Sequence, residues 1–528
     1  MKKYVFKRIL YSIFSLLVVV MTVMLLVFSL IDRNVIFQQD DVWNKRNLND
    51  RSMYEYAMYQ KYGYLNYVDY GSYLKEKYAE AYGEGYDTRE DFAADRTIIQ
   101  KPDEYLNNAS VQEFKEKYEK LGYELKYLEP VRASNGSVKK GGGAYLVAVQ
   151  EKSVFLRLWD YVTHLITVET TGDVEDPNLT DRYIHFEKDP YSGLFAVTGS
   201  GTTHKYLLYF NSRFPFIHQN FLHLNLGTSF TTYRGKEITT VITTPNDEMI
   251  TTEQQYPMEI GTDQYSMTAI DFHTATYNPA ASDQDRELFG DNYTSCTLRY
   301  SGLSMLETSF VIGIFALLLT YLLGLPLGIL VARRKDKLAD KIGNAYIIFI
   351  MAVPSLCYIF LFAAIGTTIF HLPYKFANAP KDAKWIAYIL PTISLALPSI
   401  GGLMKWVRRY MIDQMNSDYV KFARAEGLSE KEIYRKHIFP NAMIYLIHGI
   451  PGAILFAMTG AILTERVYGV TGVGNLLTKA ITSHDNGVIV AAVMFYTGLS
   501  LISVLLGDLL LAKYDPRISL SSERGGGR

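Results

Sequence analysis

Cysteine is nearly absent: 528 residues hold two, Cys296 and Cys357. Cys296 falls in a polar stretch and Cys357 inside an apolar run of membrane length, so a bilayer keeps them apart and no disulfide staples the polar part. No zinc-type Cys/His spacing occurs, and no metal ligands are expected. An excess of either charge is missing too. The 53 Lys and Arg offset 54 Asp and Glu, and no basic patch interleaved with aromatics argues for nucleic acid. Motifs of nucleophilic, zinc-protease or kinase catalysis are lacking. The nearest approach to a phosphate loop, residues 469–474, is followed by Asn475 and Leu476 where Lys and Ser or Thr would be needed. The chain is therefore expected to catalyse nothing alone and to carry no cofactor.

Long apolar runs are abundant. A membrane helix needs roughly 20 such residues, and runs of that order lie at 9–31, 307–332, 342–370, 385–404, 441–463 and 488–512. The mean hydropathy of +0.01 hides them because a polar block dilutes the average. Lys2, Lys3, Lys7 and Arg8 precede the first run. Arg333, Arg334, Lys335, Lys337 and Lys341 fill the loop after the second. Lys405, Arg408, Arg409, Lys421, Arg424, Lys431, Arg435 and Lys436 fill the loop after the fourth, and Lys513 and Arg517 follow the sixth. This alternation predicts six spans with both termini in the cytoplasm. The first run is longer than a leader's core and no small-x-small site follows it, so a retained helix is expected.

The same topology puts residues 33–300 outside. A block that long is predicted to fold as an α+β domain. From Tyr54 to Tyr86 tyrosine recurs every two to five residues. Rings with polar tips suit a half-wet interface, or a core that packs Tyr where others pack Leu. Asn135-Gly136 and the glycines at 141–143 mark a turn before a strand at 144–149, and residues 239–252 read as a hairpin.

The loop at 405–440 carries the most local detail. Asn416, Ser417 and Asp418 offer caps for a helix whose Tyr419, Phe422, Ala423 and Glu426 share a face. Gly427 is placed to end it in the left-handed conformation. Ser429 and Glu432 form a capping box for a second helix, expected to run to about His437, with Pro440 ending it and opening the next helix. Two capped helices joined at a glycine predict a surface that faces a partner in the water.

The spacing resembles the coupling loop of ABC importer permeases, written Glu-Ala-Ala, three residues, Gly, nine residues, Ile, one residue, Leu-Pro. Lys421, Phe422 and Ala423 stand at its first positions, Gly427 at its glycine, His437 at its isoleucine, and Phe439 and Pro440 at its end. Ala423, Arg424, Ala425, Glu426, Gly427 and Leu428 resemble the Ala-Arg-Ala-Lys-Gly-Leu form of peptide and nickel permeases. Thr464, Glu465, Arg466, Val467, Tyr468 and Gly469, then Gly472, Val473 and Gly474, resemble the outer segment after span five of oligopeptide permeases. Leu224 to Phe230 resembles their Gly-Asp-Leu-Gly-x-Ser element, with Asn225 at the usual Asp, and Tyr514, Asp515, Pro516 and Arg517 resemble their carboxyl-terminal ending.

The chain is thus similar to the B-type permease subunit of Gram-positive oligopeptide importers. That resemblance implies an all-α polytopic protein, with six transmembrane helices of the type I importer (MetI-like) fold. Residues 1–32 would form the first span, 33–300 the outer insert and 301–528 the permease core. The implied partners are a second, C-type permease subunit, two cytoplasmic ATPase subunits that bind the ATP and Mg, a lipid-anchored peptide-binding protein, an oligopeptide substrate and membrane lipid. Tyr419, Phe422 to Ser429, Glu432 and Pro440 would meet the ATPase. The glycines Gly469, Gly472 and Gly474 either only shape a tight turn or, with Glu465, form a re-entrant outer gate. His448 and Asp508 are expected to pair helices. A dipeptide or nickel importer, or a membrane-anchored peptide receptor, are the alternatives.

Overall fold

A computed structural model describes residues 2–30, 32–38, 40–83, 85–169, 175–176, 183–188, 194–199, 203–210, 217–245, 276–281, 283, 286, 292, 302–459 and 462–514. The chain starts with the apolar helix α1 (Lys2–Leu30). A compact unit follows, made of α2 (Asp41–Lys45), α3 (Leu48–Lys61), β1 (Leu65–Asp69), α4 (Tyr70–Tyr82), α5 (Glu90–Ile98), α6 (Ala109–Lys120), β2 (Glu124–Leu128) and β3 (Tyr145–Glu151).

β3 is the central strand, antiparallel to β1 on one side and β2 on the other. Its alternation sends Leu146 and Ala148 to a core shared with α4, α5 and α6, and Val147 and Val149 to a second core shared with α3. Most of the tyrosines fill these cores: Tyr59, Tyr62, Tyr64, Tyr70, Tyr73 and Tyr78 are all buried, while Tyr82 is exposed. Three of their hydroxyls find partners inside, Tyr59 with Asn34 (2.6 Å), Tyr62 with the Phe230 carbonyl (3.1 Å) and Tyr78 with Asp95 (3.0 Å), while that of Tyr70 is buried without one. A ring that buries its body while its tip is hydrogen-bonded costs little, which is why Tyr serves here as Leu would elsewhere.

Next come α7 (Val154–His164), β4 (Ile166–Val168), β5 (Ile184–Lys188), β6 (Phe195–Gly199), β7 (Tyr206–Phe210), β8 (Ile217–Gln219) and β9 (Leu222–Leu224). β5 to β8 form an antiparallel meander, while β4 pairs with β9. The expected hairpin at 239–252 is not formed. Its first arm is the helix α8 (Ile238–Thr243), and 246–252 lie outside the described residues. Ile238, Val241 and Ile242 are buried at i, i+3 and i+4, a helical period that the β-branched composition masks.

The remaining helices are α9 (Met305–Arg333), α10 (Leu338–Ala352), α11 (Ser355–Thr368), α12 (Ile389–Met415), α13 (Asp418–Ala425), α14 (Glu430–Ile433), α15 (Phe439–Ile447), α16 (Ile450–Thr459), α17 (Ile462–Tyr468), α18 (Val473–Thr482) and α19 (Asn486–Tyr514). Among the described residues four helices are long and apolar enough to cross a membrane: Val5–Ser29, Met305–Arg333, Asp382–Met415 and Asn486–Leu511. The expected span at 342–370 is the pair α10 and α11, bent by 109°. Pro354 removes an amide and holds Val353 extended at φ −81°, ψ 130°. The run at 441–463 breaks at Gly449, between α15 and α16, with Pro451 in the first turn of α16; residues 460–461, between α16 and α17, lie outside the described residues.

α9 lies along α12 through Gly324 and Gly328, a Gly-x-x-x-Gly pair. A Cβ at Gly328 would sit 2.8 Å from Val407 Cβ, so only hydrogen permits this approach. Arg408 on α12 makes a two-pronged contact with the buried Asp340 of α10, at 2.7 and 2.9 Å. Asp508 on α19 receives Arg8 of α1 (3.2 Å) and stands 3.4 Å from His448, at the end of α15, so the two intramembrane polar residues join helices.

Candidate functional site

α12 runs past the expected end of its span to Met415, so Lys405, Arg408 and Arg409 are helical and the connector itself starts at Asn416. α13 then ends in a Schellman arrangement. Gly427 has φ +83°, its amide donates to Arg424 O (3.1 Å), and Leu428 N donates to Ala423 O (3.2 Å). Ser429 and Glu432 form the capping box that starts α14. The Ser429 hydroxyl and amide hold the Glu432 carboxyl below the usual range for a glutamate. Arg424 reaches Glu430 across the glycine at 2.8 Å, an exposed pair of small worth.

The second helix does not stop near His437, although Pro440 does stand in the first turn of the next helix, as expected. It passes through a π turn at Tyr434–Ile438 into α15, with Phe439 N bonded to Tyr434 O. The wider turn accommodates a proline that has no amide to give and whose ring would strike an ordinary i−4 carbonyl.

Val420, Ala423, Ile433 and Ile438 pack with Ala332, Val407 and Met411 into one core, so α9 and α12 hold the connector firmly. Of the face expected to be shared, Ala423 is buried, Tyr419 half-buried, Glu426 exposed and Phe422 66% exposed. Tyr419 donates to Gln414 (2.6 Å) and accepts from Asn441 (3.2 Å), which fixes α13 to both neighbouring helices. Arg424 and Ala425 lie on the exposed side with Phe422. An aromatic ring therefore stands in the open on a rigid, charged platform.

The second cluster gathers around Glu465, which is 1% exposed. One carboxyl oxygen accepts the Ser309 hydroxyl (2.8 Å), the other the Asn475 amide (3.0 Å), and the Gly474 amide also donates to the carboxyl group. Ser309 Oγ in turn accepts from Val473 N at 3.0 Å. The chain turns left-handed at Gly469, φ +66°, and returns over the carboxylate. At Gly472 a Cβ would lie 2.4 Å from Glu465 Oε2 and 2.5 Å from Ser309 Oγ. Glu465, Gly472 and Gly474 thus meet in one knot beside the turn that Gly469 opens, and no local pattern marks Ser309, on α9, as the residue that completes it. Gly472→Ala is expected to overpack it by about 1–3 kcal/mol. Thermal unfolding of the purified chain should move down by several degrees, and an unchanged transition would show that the knot yields freely.

Sequence reading also missed Asp485, in the turn between α18 and α19. Wholly buried, it accepts Ser229 Oγ (2.6 Å), Phe230 N (2.9 Å), Thr231 N (3.1 Å), Thr232 N (2.8 Å) and Val488 N (3.2 Å). Asn486 meets Tyr64 Oη at 3.1 Å, and the Tyr62 ring packs tilted against that of Phe230, with centroids 4.3 Å apart. The element around Asn225 is thereby locked between the tyrosine-rich unit and α18–α19. Asn225 itself donates to His164 O (2.9 Å).

Residues 324–520 match the model of the binding-protein-dependent transport system inner membrane component family. The whole chain is 36% identical to the oligopeptide transport system permease protein AmiC of Streptococcus pneumoniae, covering 100% of both. The chain belongs to this permease family. It is a multi-pass membrane subunit of the ABC importer class. Against the dipeptide permease DppB of Lactococcus lactis subsp. cremoris identity is 33% over 41% of this chain and 70% of that one. A chain of the inward-facing MetNI methionine ABC transporter aligns over 40% of this chain and 94% of its own, with 14% identity and a TM-score of 0.31. The likeness to AmiC extends through the block at 33–300, which the likeness to DppB does not cover in full.

Proposed function

We propose that this chain forms half of the pore of an oligopeptide importer and transmits ATP hydrolysis through the 416–440 connector. The observation that carries the reading is Phe422, held out on α13, which Ser417 starts without a side-chain capping bond and Gly427 closes, beside the boxed start of α14, with the inner faces of both buried against α9 and α12. Oligopeptides are favoured over dipeptides because the full-length likeness is to AmiC, while that to DppB reaches only 41% of the chain. In this reading the chain crosses the membrane six times, the divided segments α10–α11 and α15–α17 each serving as one crossing. Both termini and the connector lie in the cytoplasm. Two ATPase subunits bind ATP and Mg, a second permease completes the pore, and a lipid-anchored protein delivers peptide to the outer face, where residues 33–300 reside. The knot at Glu465 serves as the outer gate, since a carboxylate that gathers amides from a returning turn fixes that turn in place.

Cells lacking this chain should lose import of labelled oligopeptides and regain it with the wild-type gene; import that persists without it would refute the assignment. In a cysteine-free background, a cysteine at the exposed Ser134 should react with an impermeant reagent on intact cells and one at the exposed Ser429 should not. The opposite pattern would invert the topology.

A further inference from the structure

We propose that Glu169, His204 and His223 form a binding site for a divalent transition metal of the zinc type, which clamps the β4–β9 ribbon to the β5–β8 sheet. One carboxyl oxygen and one ring nitrogen from each histidine all lie within 4.8 Å of one another. Zinc held about 2.0–2.1 Å from each ligand places tetrahedral ligand atoms about 3.4 Å apart. Glu169 Oε2 already stands 2.7 Å from His204 Nδ1 and 3.5 Å from His223 Nε2, so small side-chain shifts suffice.

Three separate parts of the chain bring these ligands together. Glu169 extends the β4–β9 ladder by one step, its amide donating to Phe221 O at 2.7 Å. With Thr167 opposite His223, the strand period turns Glu169 and His223 to the same face. His204 arrives from the segment before β7, and its ring stacks on that of His223 with centroids 5.1 Å apart. The ligands are also oriented from behind. The other carboxyl oxygen, Oε1, accepts the backbone amides of Thr203 (2.7 Å) and His204 (2.6 Å), which leaves Oε2 facing the imidazoles; Thr203 Oγ1 steadies it at 3.1 Å. His223 Nε2 also lies 3.0 Å from Asn220 O, a hydrogen bond the ring gives up when that nitrogen turns its lone pair to the metal.

The Glu169 side chain is 2% exposed, while those of His204 and His223 are 18% and 34% exposed, so a fourth position opens to solvent. Two imidazoles and one carboxylate suit zinc and its first-row neighbours better than calcium or magnesium, which favour all-oxygen shells. Metal here would close two long loops in a part of the chain where the lone Cys296 cannot form an internal disulfide. The spacing of the three ligands matches no sequence motif, which is why the sequence predicted no metal.

The test uses the full-length, tag-free chain in its assembled complex, stripped with chelator, loaded with zinc chloride and desalted. Mass spectrometry of the metal should find about one zinc per copy of this chain above the background of the partners. In His204→Ala/His223→Ala that increment should fall at least tenfold, and His223→Ala alone should weaken binding by tenfold or more. Zinc-edge absorption of the loaded wild-type complex should show two imidazoles. Equal zinc in wild type and double variant, or a spectrum without imidazole, overturns the site even if the variant folds poorly.

Discussion

Phe422→Asp is expected to uncouple ATP hydrolysis from transport while the permease still folds and assembles in the membrane. The ring is 66% exposed, and its neighbours Val420 and Ala423, not Phe422, enter the core beneath α13. Removing it leaves the connector's fold intact. If it inserts into an ATPase groove as an aromatic anchor, its loss costs about 2–4 kcal/mol of docking, roughly 30- to 1,000-fold in affinity, and a buried aspartate adds a desolvation penalty. Peptide-stimulated ATPase activity in proteoliposomes should fall by at least tenfold, and Phe422→Tyr should recover most of it. Gly427→Ala is the contrast. A Cβ there meets nothing within 4 Å, so only left-handed strain of about 1 kcal/mol remains. Full coupling in Phe422→Asp would remove the connector from the ATPase contact.

Asp485→Ala should release the 225–232 element from α18–α19. Five donors converge on that buried carboxyl group, four of them from Ser229 to Thr232. Alanine leaves them without an acceptor in a dry site at about 1–3 kcal/mol for each that water cannot reach, so a total near 4 kcal/mol is expected. Hydrogen exchange of the Phe230, Thr231 and Thr232 amides should then accelerate by about a thousandfold, and peptide import should drop with it. Protection equal to wild type would mean that the packing of Tyr62 on Phe230 holds the element alone. Asp485→Asn, which keeps one acceptor oxygen, should fall between the two.

Much of the connector was legible in the sequence because caps act over three or four residues. Gly427 ends α13 and the Ser429–Glu432 box opens α14, both readable from local spacing. The continuation through Pro440 was not, since the π turn that tolerates it depends on Ile433 and Ile438 being anchored in the core. The tyrosine stretch shows the same limit. Composition alone left core and interface open, and only the two faces of β3 decided for the core.

By itself the sequence determined the long apolar helices, the capped connector and the permease family, because each is written in contiguous residues. Tertiary structure alone decided the breaks in two expected spans, the union of Ser309 with Glu465 and Gly472, the five donors at Asp485 and the meeting of Glu169 with two histidines. These join positions separated by up to 256 residues. No periodicity or local spacing encodes such a contact; it exists only once buried polar groups must find partners in a folded interior.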